Sequence, residues 1–230
     1  VQNPPSFDVA VKDRLLPDMA DAPQGLARLQ PAAGQAHALL HAQLELTYRC
    51  NQQCRHCYLR GCDPDPQREL ALADYLRILD ELKDLQTLFV LFTGGEVFLR
   101  PDFFDLLRAA HERGFLSLVF TNGTLLTPER VERLRELRPY QVHISLLGLE
   151  EAHDALAGMP GAFRQALRAM DLVRKAGITV FAKLILTRHA MRDVKALQAL
   201  AQEHAGHYIQ AADLLPTLAG QEPDADLLAP

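Results

Sequence analysis

The sequence predicts an α/β fold whose parallel strands form a partial (βα)6 barrel of the TIM-barrel-like kind. An open doubly wound sheet fits the same pattern. Three observations lead there. From Gln43 onward, short apolar runs alternate with amphipathic ones, giving strand candidates with helical patterns between them. The connections are short, and a crossover helix that returns the chain to the same edge makes neighbouring strands parallel. The chain has 230 residues of which 48% are apolar, ample for one large core.

The elements follow in order. Residues 1–42 show weak periodicity and many Pro, Ala and Gln, and read as a partly helical leader. The core domain is placed at 43–216, and 217–230 reads as a tail or a truncated link to a missing domain. Strands are expected at 44–48, 87–92, 116–120, 141–146, 179–186 and 207–211. The first helix carries Leu72, Tyr75, Leu76, Leu79 and Leu82 at helical period. The second opens with Pro101, suited to a first turn, and ends before Gly114. The third has Thr127 as cap and Pro128 after it. The fourth runs over about 162–176 and stops at Gly177; the fifth carries Val194, Leu197 and Ala201 and stops near Gly206. Beyond the sixth strand, Pro216, Gly220 and Pro223 interrupt any helix. The helix that should cover that strand is expected to be missing or irregular. An apolar patch beside 207–212 and an incomplete catalyst follow from that.

Composition excludes several classes. The formal charge is −5 and no basic block or basic–aromatic stripe appears, so a nucleic-acid partner is not expected. No apolar run reaches the roughly 20 residues of a membrane helix, so no membrane association is expected. The start, VQNPPSFDVAVKDRLLP, lacks the basic and apolar regions of a signal peptide. All four cysteines fall between positions 50 and 62, which is no disulfide framework for a chain this long. Clustered free thiols suit a reducing cytoplasm.

The cysteines carry the chemistry. Cys50, Cys54 and Cys57 lie in ELTYRCNQQCRHCYL with spacing Cys-x3-Cys-x2-Cys, just after the first strand. A [4Fe–4S] cluster normally takes four thiolates. Three in one tight loop hold three irons and leave the fourth open to a substrate or cofactor. The alternative is zinc, held with Cys62 or with His56. Structural zinc sites usually come as two separated knuckles, and no second Cys-x2-Cys exists here. Cys62 reads as a spare loop thiol. In either α/β arrangement ligands bind beyond the carboxyl ends of the strands, where the cysteine loop lies.

Other strand ends add polar groups. The second ends in Thr93-Gly94-Gly95-Glu96, where two glycines permit a sharp turn and close approach, and a carboxylate can meet an ammonium group. An ordinary glycine turn explains the same residues. The third ends in Thr121-Asn122-Gly123, which a plain turn also explains. The fourth reads His143-Ile144-Ser145-Leu146-Leu147-Gly148, followed by His153-Asp154. His143 and Ser145 alternate and share one face. Lys183 on the fifth strand either meets a cofactor carboxylate or is an exposed charge.

Together these phrases resemble the radical S-adenosylmethionine (SAM) superfamily, and more loosely its peptide and cofactor maturases. The resemblance covers residues 43–216. It implies a partial barrel and a [4Fe–4S] cluster on Cys50, Cys54 and Cys57. It also implies SAM chelated to the open iron and cleaved reductively to a 5′-deoxyadenosyl radical for hydrogen abstraction. His56, before the third cysteine, stands where the family has an aromatic residue, beside adenine. Gly94, Gly95 and Glu96 would hold the methionyl amine. Val97 replaces the proline many relatives have next. Thr121 and Asn122 would lie near SAM, and Ser145 would meet its ribose or carboxylate. Leu147 stands where the family usually has an aspartate, which removes a polar role there. His153 and Asp154 are expected to cap and orient the following helix. A peptide or small-molecule substrate and an electron donor such as flavodoxin or ferredoxin are implied. A metabolite or tetrapyrrole substrate, or a non-catalytic zinc or iron–sulfur protein, remains the alternative.

Overall fold

The computed structural model describes residues 38–211, 217–220, 222 and 224–227. Nearly all of the expected leader, residues 212–216 after the sixth strand, and part of the tail lie outside them.

Six strands form one sheet: β1 (His41–Glu45), β2 (Phe89–Thr93), β3 (Leu116–Thr121), β4 (Gln141–Leu146), β5 (Val180–Ile185) and β6 (Gly206–Ala211). Every neighbouring pair is parallel and the spatial order equals the chain order. The helices are α1 (Leu72–Asp84), α2 (Phe103–Glu112), α3 (Pro128–Leu137), α4 (Glu150–Ala157), α5 (Ala162–Lys175), α6 (Arg188–Arg192) and α7 (Val194–His204). A doubly wound sheet reverses its strand order at a switch point. This one never reverses. Right-handed crossovers in one direction put the crossover helices on the same face, and the result is a partial (βα)6 barrel. The other face of the sheet is left to loops and side chains.

The core lies between helices and sheet. Val119, Val142, Ile144, Val180, Ala182 and Leu184 face the helices from alternate positions and are buried. Leu79, Leu106, Leu134, Met170 and Leu197 meet them from α1, α2, α3, α5 and α7. β2 is buried at every position, as its unbroken apolar run FVLFT requires. β6 is the opposite case. His207 and Tyr208 are exposed, and Ile209 is only half-buried.

Local chemistry explains the differences from expectation. β1 lies at His41–Glu45, three residues before the expected 44–48. Residues 46–49 have the composition of a strand, but their carbonyls are claimed elsewhere. Thr47 O accepts from Gly95 N–H at 2.7 Å and Arg49 O from Glu96 N–H at 2.8 Å. α2 starts at Phe103 and not at Pro101, because Asp102 occupies the cap position and is clamped by Arg100 through Nε (2.7 Å) and Nη2 (2.9 Å). α3 begins as expected, with Thr127 Oγ1 accepting from Arg130 N–H and Pro128 following. Two helices were not expected. α4 has eight residues and ends at Gly158, whose φ of +64° is a left-handed stop. α6 is little more than one turn, capped by Thr187.

Arg100 ties the first two βα units together. It is 6% exposed. Its Nη1 donates to Leu46 O at 2.9 Å and its Nη2 to Leu70 O at 2.8 Å, and its guanidinium stands 4.8 Å from the Tyr75 ring centre. Arg100→Met is expected to leave two carbonyls and the Asp102 carboxylate unpaired. Removing one partner of a buried charged network costs about 3–5 kcal/mol. Urea unfolding should show that loss as a lower midpoint at unchanged slope, and an unchanged midpoint would refute the tie.

Candidate active site

The cysteine loop leaves β1 at the carboxyl end of the sheet. It is docked on α4. Gln53 N–H donates to Ala157 O and Arg55 N–H to Leu156 O, both at 3.0 Å. These carbonyls belong to the last turn of a helix, which leaves them without intrahelical partners. α4, which the sequence pattern did not reveal, is therefore a floor of the site. Gly158 permits the approach: a Cβ there would lie 3.1 Å from Gln53 O.

Cys50, Cys54 and Cys57 are free thiols. They are close enough for each charge to disfavour the next: Cys50 and Cys57 raise Cys54, and Cys57 raises Cys50. Burial is the larger cause in all three, and it pushes Cys54 up to about 12. Loading a metal must therefore displace protons. Cys50 Sγ accepts from Gln52 N–H at 3.4 Å and Asn122 Nδ2 at 3.8 Å, and backbone N–H groups of Leu59 and Arg60 act on Cys57. Such N–H···S contacts orient thiolates and tune a cluster's potential. Among the described residues, no three Cys, His, Asp or Glu side chains converge as one ion would require. Cys62 is near enough for its charge to raise Cys57, and it lines a cavity of ≈ 500 Å³ with Glu45, Tyr48, Asp63 and Glu69.

The Gly-Gly-Glu turn is locked against the chain leading to Cys50. A Cβ on Gly94 would lie 2.3 Å from Thr47 O, and one on Gly95 2.2 Å from Arg49 O. Only glycine fits either place. Glu96 is fully buried. Its carboxylate accepts from Thr121 Oγ1 at 2.8 and 2.9 Å, from Asn122 N–H at 2.8 Å and from Phe98 N–H at 3.2 Å. Burial raises its pKa, and these donors with the Arg130 charge pull it back. Glu96 and Thr121, both expected to meet SAM, thus face each other. Their side chains join the ends of β2 and β3.

The remaining predicted residues are spread around this seam. Asn122 stands beside Cys50 and donates to Asn51 Oδ1 at 2.9 Å, while its own Oδ1 accepts from Thr124 N–H. His56 is mostly buried, its Nδ1 has no hydrogen-bond partner among the described residues, and burial, then Lys183, lower its pKa to about 4. Ser145 pairs in register with Lys183 on the helix-free side of β4. Asp154 behaves as expected of a cap, accepting from Gly161 N–H and Phe163 N–H at the start of α5. His153 caps no following helix: its Nδ1 accepts from Leu147 N–H at 3.1 Å, in the loop before α4. Leu147 is buried with Leu156, Ala157, Ala162 and Leu227, which explains an apolar residue there. Thr47, Asn51, Gln52, Glu69 and Thr124 support the site without having been read from the sequence. Of these only the Asn-Gly-Thr turn of Thr124 had a local signal. Glu69 meets Arg49 in two contacts, at 3.0 and 3.1 Å, and accepts from the Thr47 hydroxyl.

Residues 44–200 match the family model described as Radical SAM superfamily. The chain belongs to the radical SAM superfamily. It is a family of enzymes whose cofactors are a [4Fe–4S] cluster and SAM. The chain is 34% identical over 158 residues to the Fe-coproporphyrin III synthase of Methanosarcina barkeri, covering 69% of this chain and 40% of that one. It is 35% identical over 185 residues to the mycofactocin maturase MftC of Mycobacterium tuberculosis, covering 80% and 46%. The chain thus spans less than half the length of either relative. SuiB of Streptococcus suis bound to S-adenosylmethionine shares the fold, at TM-score 0.71 and 18% identity over 93% of this chain and 53% of that one. The complex of SuiB with its precursor peptide SuiA gives 0.65 and 20% over 78% and 42%.

The radical SAM seam yields a test. Gly95→Ala is expected to push the 46–49 segment off the turn and so displace Cys50. Iron content after anaerobic reconstitution should fall several-fold, while far-ultraviolet circular dichroism stays within the wild-type range. Full iron loading of Gly95→Ala would refute the locked geometry.

Proposed function

We propose that this chain is the catalytic core, over residues 43–216, of a radical SAM enzyme acting in peptide or cofactor maturation. The observation that carries the reading is the set of three free thiols in one loop at the carboxyl end of β1, beside the glycine seam. Cys50, Cys54 and Cys57 would hold the cluster. When bound, the cluster and SAM supply an electron and a 5′-deoxyadenosyl radical that abstracts hydrogen. The protein's work is positioning. Gly94 and Gly95 bring backbone close to the ligand, and Glu96 keeps that backbone in place from behind. Asn122 orients Cys50. His56 and Ser145 would line the adenosine side from the loop and from β4. An external reductant such as flavodoxin or ferredoxin would supply the electron. Free clustered cysteines support a reducing, cytoplasmic setting.

A second reading is a tetrapyrrole or other small-metabolite substrate. Its support is the identity to a synthase named for coproporphyrin, 34% against 35% for the maturase.

Two measurements check the core reading. Cys→Ala at 50, 54 or 57 is expected to abolish the iron–sulfur absorption and 5′-deoxyadenosine formation, whereas Cys62→Ala keeps both. Zinc at one per chain, lost in Cys62→Ala, would sink the reading. Glu96→Gln is expected to retain the cluster and weaken SAM binding. Three donors point at the carboxylate and an amide can satisfy only some of them. A buried charge-assisted hydrogen bond is worth about 1.5–3 kcal/mol, so affinity should fall about tenfold to a hundredfold. Unchanged affinity in a SAM titration would separate Glu96 from the cofactor site.

A further inference from the structure

Opposite the helices, the sheet carries a row of rings. Phe120, His143, Phe181 and His207 occupy matching positions on β3, β4, β5 and β6. Their centres lie 4.7, 5.0 and 4.9 Å apart, and the last two pairs are stacked with interplanar angles of 8° and 24°. That spacing is the distance between adjacent strands, about 4.8 Å. The near-parallel rings of His143, Phe181 and His207 stand face to face, so their edges line that part of the row, while Phe120 is tilted by 32° from His143. Ring edges carry the positive end of the aromatic quadrupole and favour a π face set against them. Three strand gaps make the row about 14 Å long, longer than one aromatic side chain needs.

A cation sits at one end. Lys183 reaches from β5 over β4, placing Nζ 4.4 Å from the Phe120 ring centre. Among the described residues it has no carboxylate partner. Its charged-group neighbours are His56 and His143, whose pKa values it lowers. Burial lowers the pKa of Lys183 itself. A half-buried ammonium gains from an anionic partner, and a ligand carboxylate can supply one. His143 is 5% exposed, its Nε2 lies 2.9 Å from Gln141 Oε1, and its Nδ1 is buried without a partner. A face meant only for packing would carry aliphatic side chains here, with neither the cation nor the unpaired imidazole nitrogen.

We propose that this row and Lys183 form the substrate face, and that the substrate is a flat conjugated molecule carrying carboxylates. Its π face meets the ring edges, and one carboxylate pairs with Lys183 next to the cysteine loop. The inference rests on the radical SAM reading and names the substrate class for it.

The test titrates the anaerobically reconstituted protein with coproporphyrin III, a planar ring bearing carboxylates, and with its methyl ester, following the porphyrin's main absorption band. The acid is expected to bind saturably and the ester at least about tenfold more weakly, the scale of one lost charge-assisted hydrogen bond. Lys183→Gln should weaken acid binding by the same factor, and Lys183→Arg should restore most of it. Cluster absorption should stay at wild-type level in both variants. Equal binding of acid and ester, or no saturable binding of the acid, would overturn the proposal on the wild-type protein alone, even if Lys183→Gln failed to fold. Loss of SAM affinity in Lys183→Gln with porphyrin binding intact would move the lysine to the cofactor and also overturn it. So would a tyrosine-terminated peptide that binds through Lys183 while coproporphyrin III does not. Absence of 5′-deoxyadenosine formation in the wild type would instead defeat the radical SAM reading.

Discussion

The buried carboxylate of Glu96 is the constraint around which this end of the barrel is arranged. It lies at the end of β2 and takes donors from its own turn and from the end of β3. A carboxylate with no access to water is costly unless its oxygens are satisfied. That requirement fixes Thr121 and Asn122 relative to Gly94 and Gly95. The same turn is hydrogen-bonded to the 46–49 segment. Three successive strand ends are thus held in one arrangement by a small number of buried polar contacts.

The cysteine loop hangs from that arrangement. On one side Arg49 and Arg100 share Glu69, and Arg100 reaches back to Leu46 O. On the other side the loop lies on the carbonyl end of α4. Leu227, near the carboxyl end of the described residues, is buried under α4, and Asp224 pairs with Arg55 inside the loop. Three cysteines within a span of eight residues have little intrinsic order. Their order comes from neighbours distant in sequence, which is the preorganisation a cluster site needs.

The two faces of the sheet divide the work. One carries the aliphatic core, with period-2 residues meeting helices. The other carries rings, a lysine without a carboxylate partner among the described residues, and the seam leading to the cysteines. Helices on a single face leave the second face available to a ligand.

The sequence by itself determined the fold class and singled out the cysteines proposed as cluster ligands. Strand–helix alternation is a periodic signal, and Cys50, Cys54 and Cys57 are chemically singular and close in the chain. The β4 range was legible to the residue, because Gln141–Leu146 is bounded by turns and obeys its alternation. The β1 range was not, because Thr47 and Arg49 have strand-like composition but bond to Gly95 and Glu96. Short α4 and α6 escaped because one or two turns hold too few apolar residues to show a period. Only the tertiary structure decided that Glu96 faces Thr121, that Leu147 belongs to a small apolar core, and that Phe120, His143, Phe181 and His207 stand in one row. Those pairings depend on register between strands about 20 to 40 residues apart in sequence. Register is set by packing across the whole sheet, and no local pattern along the chain encodes it.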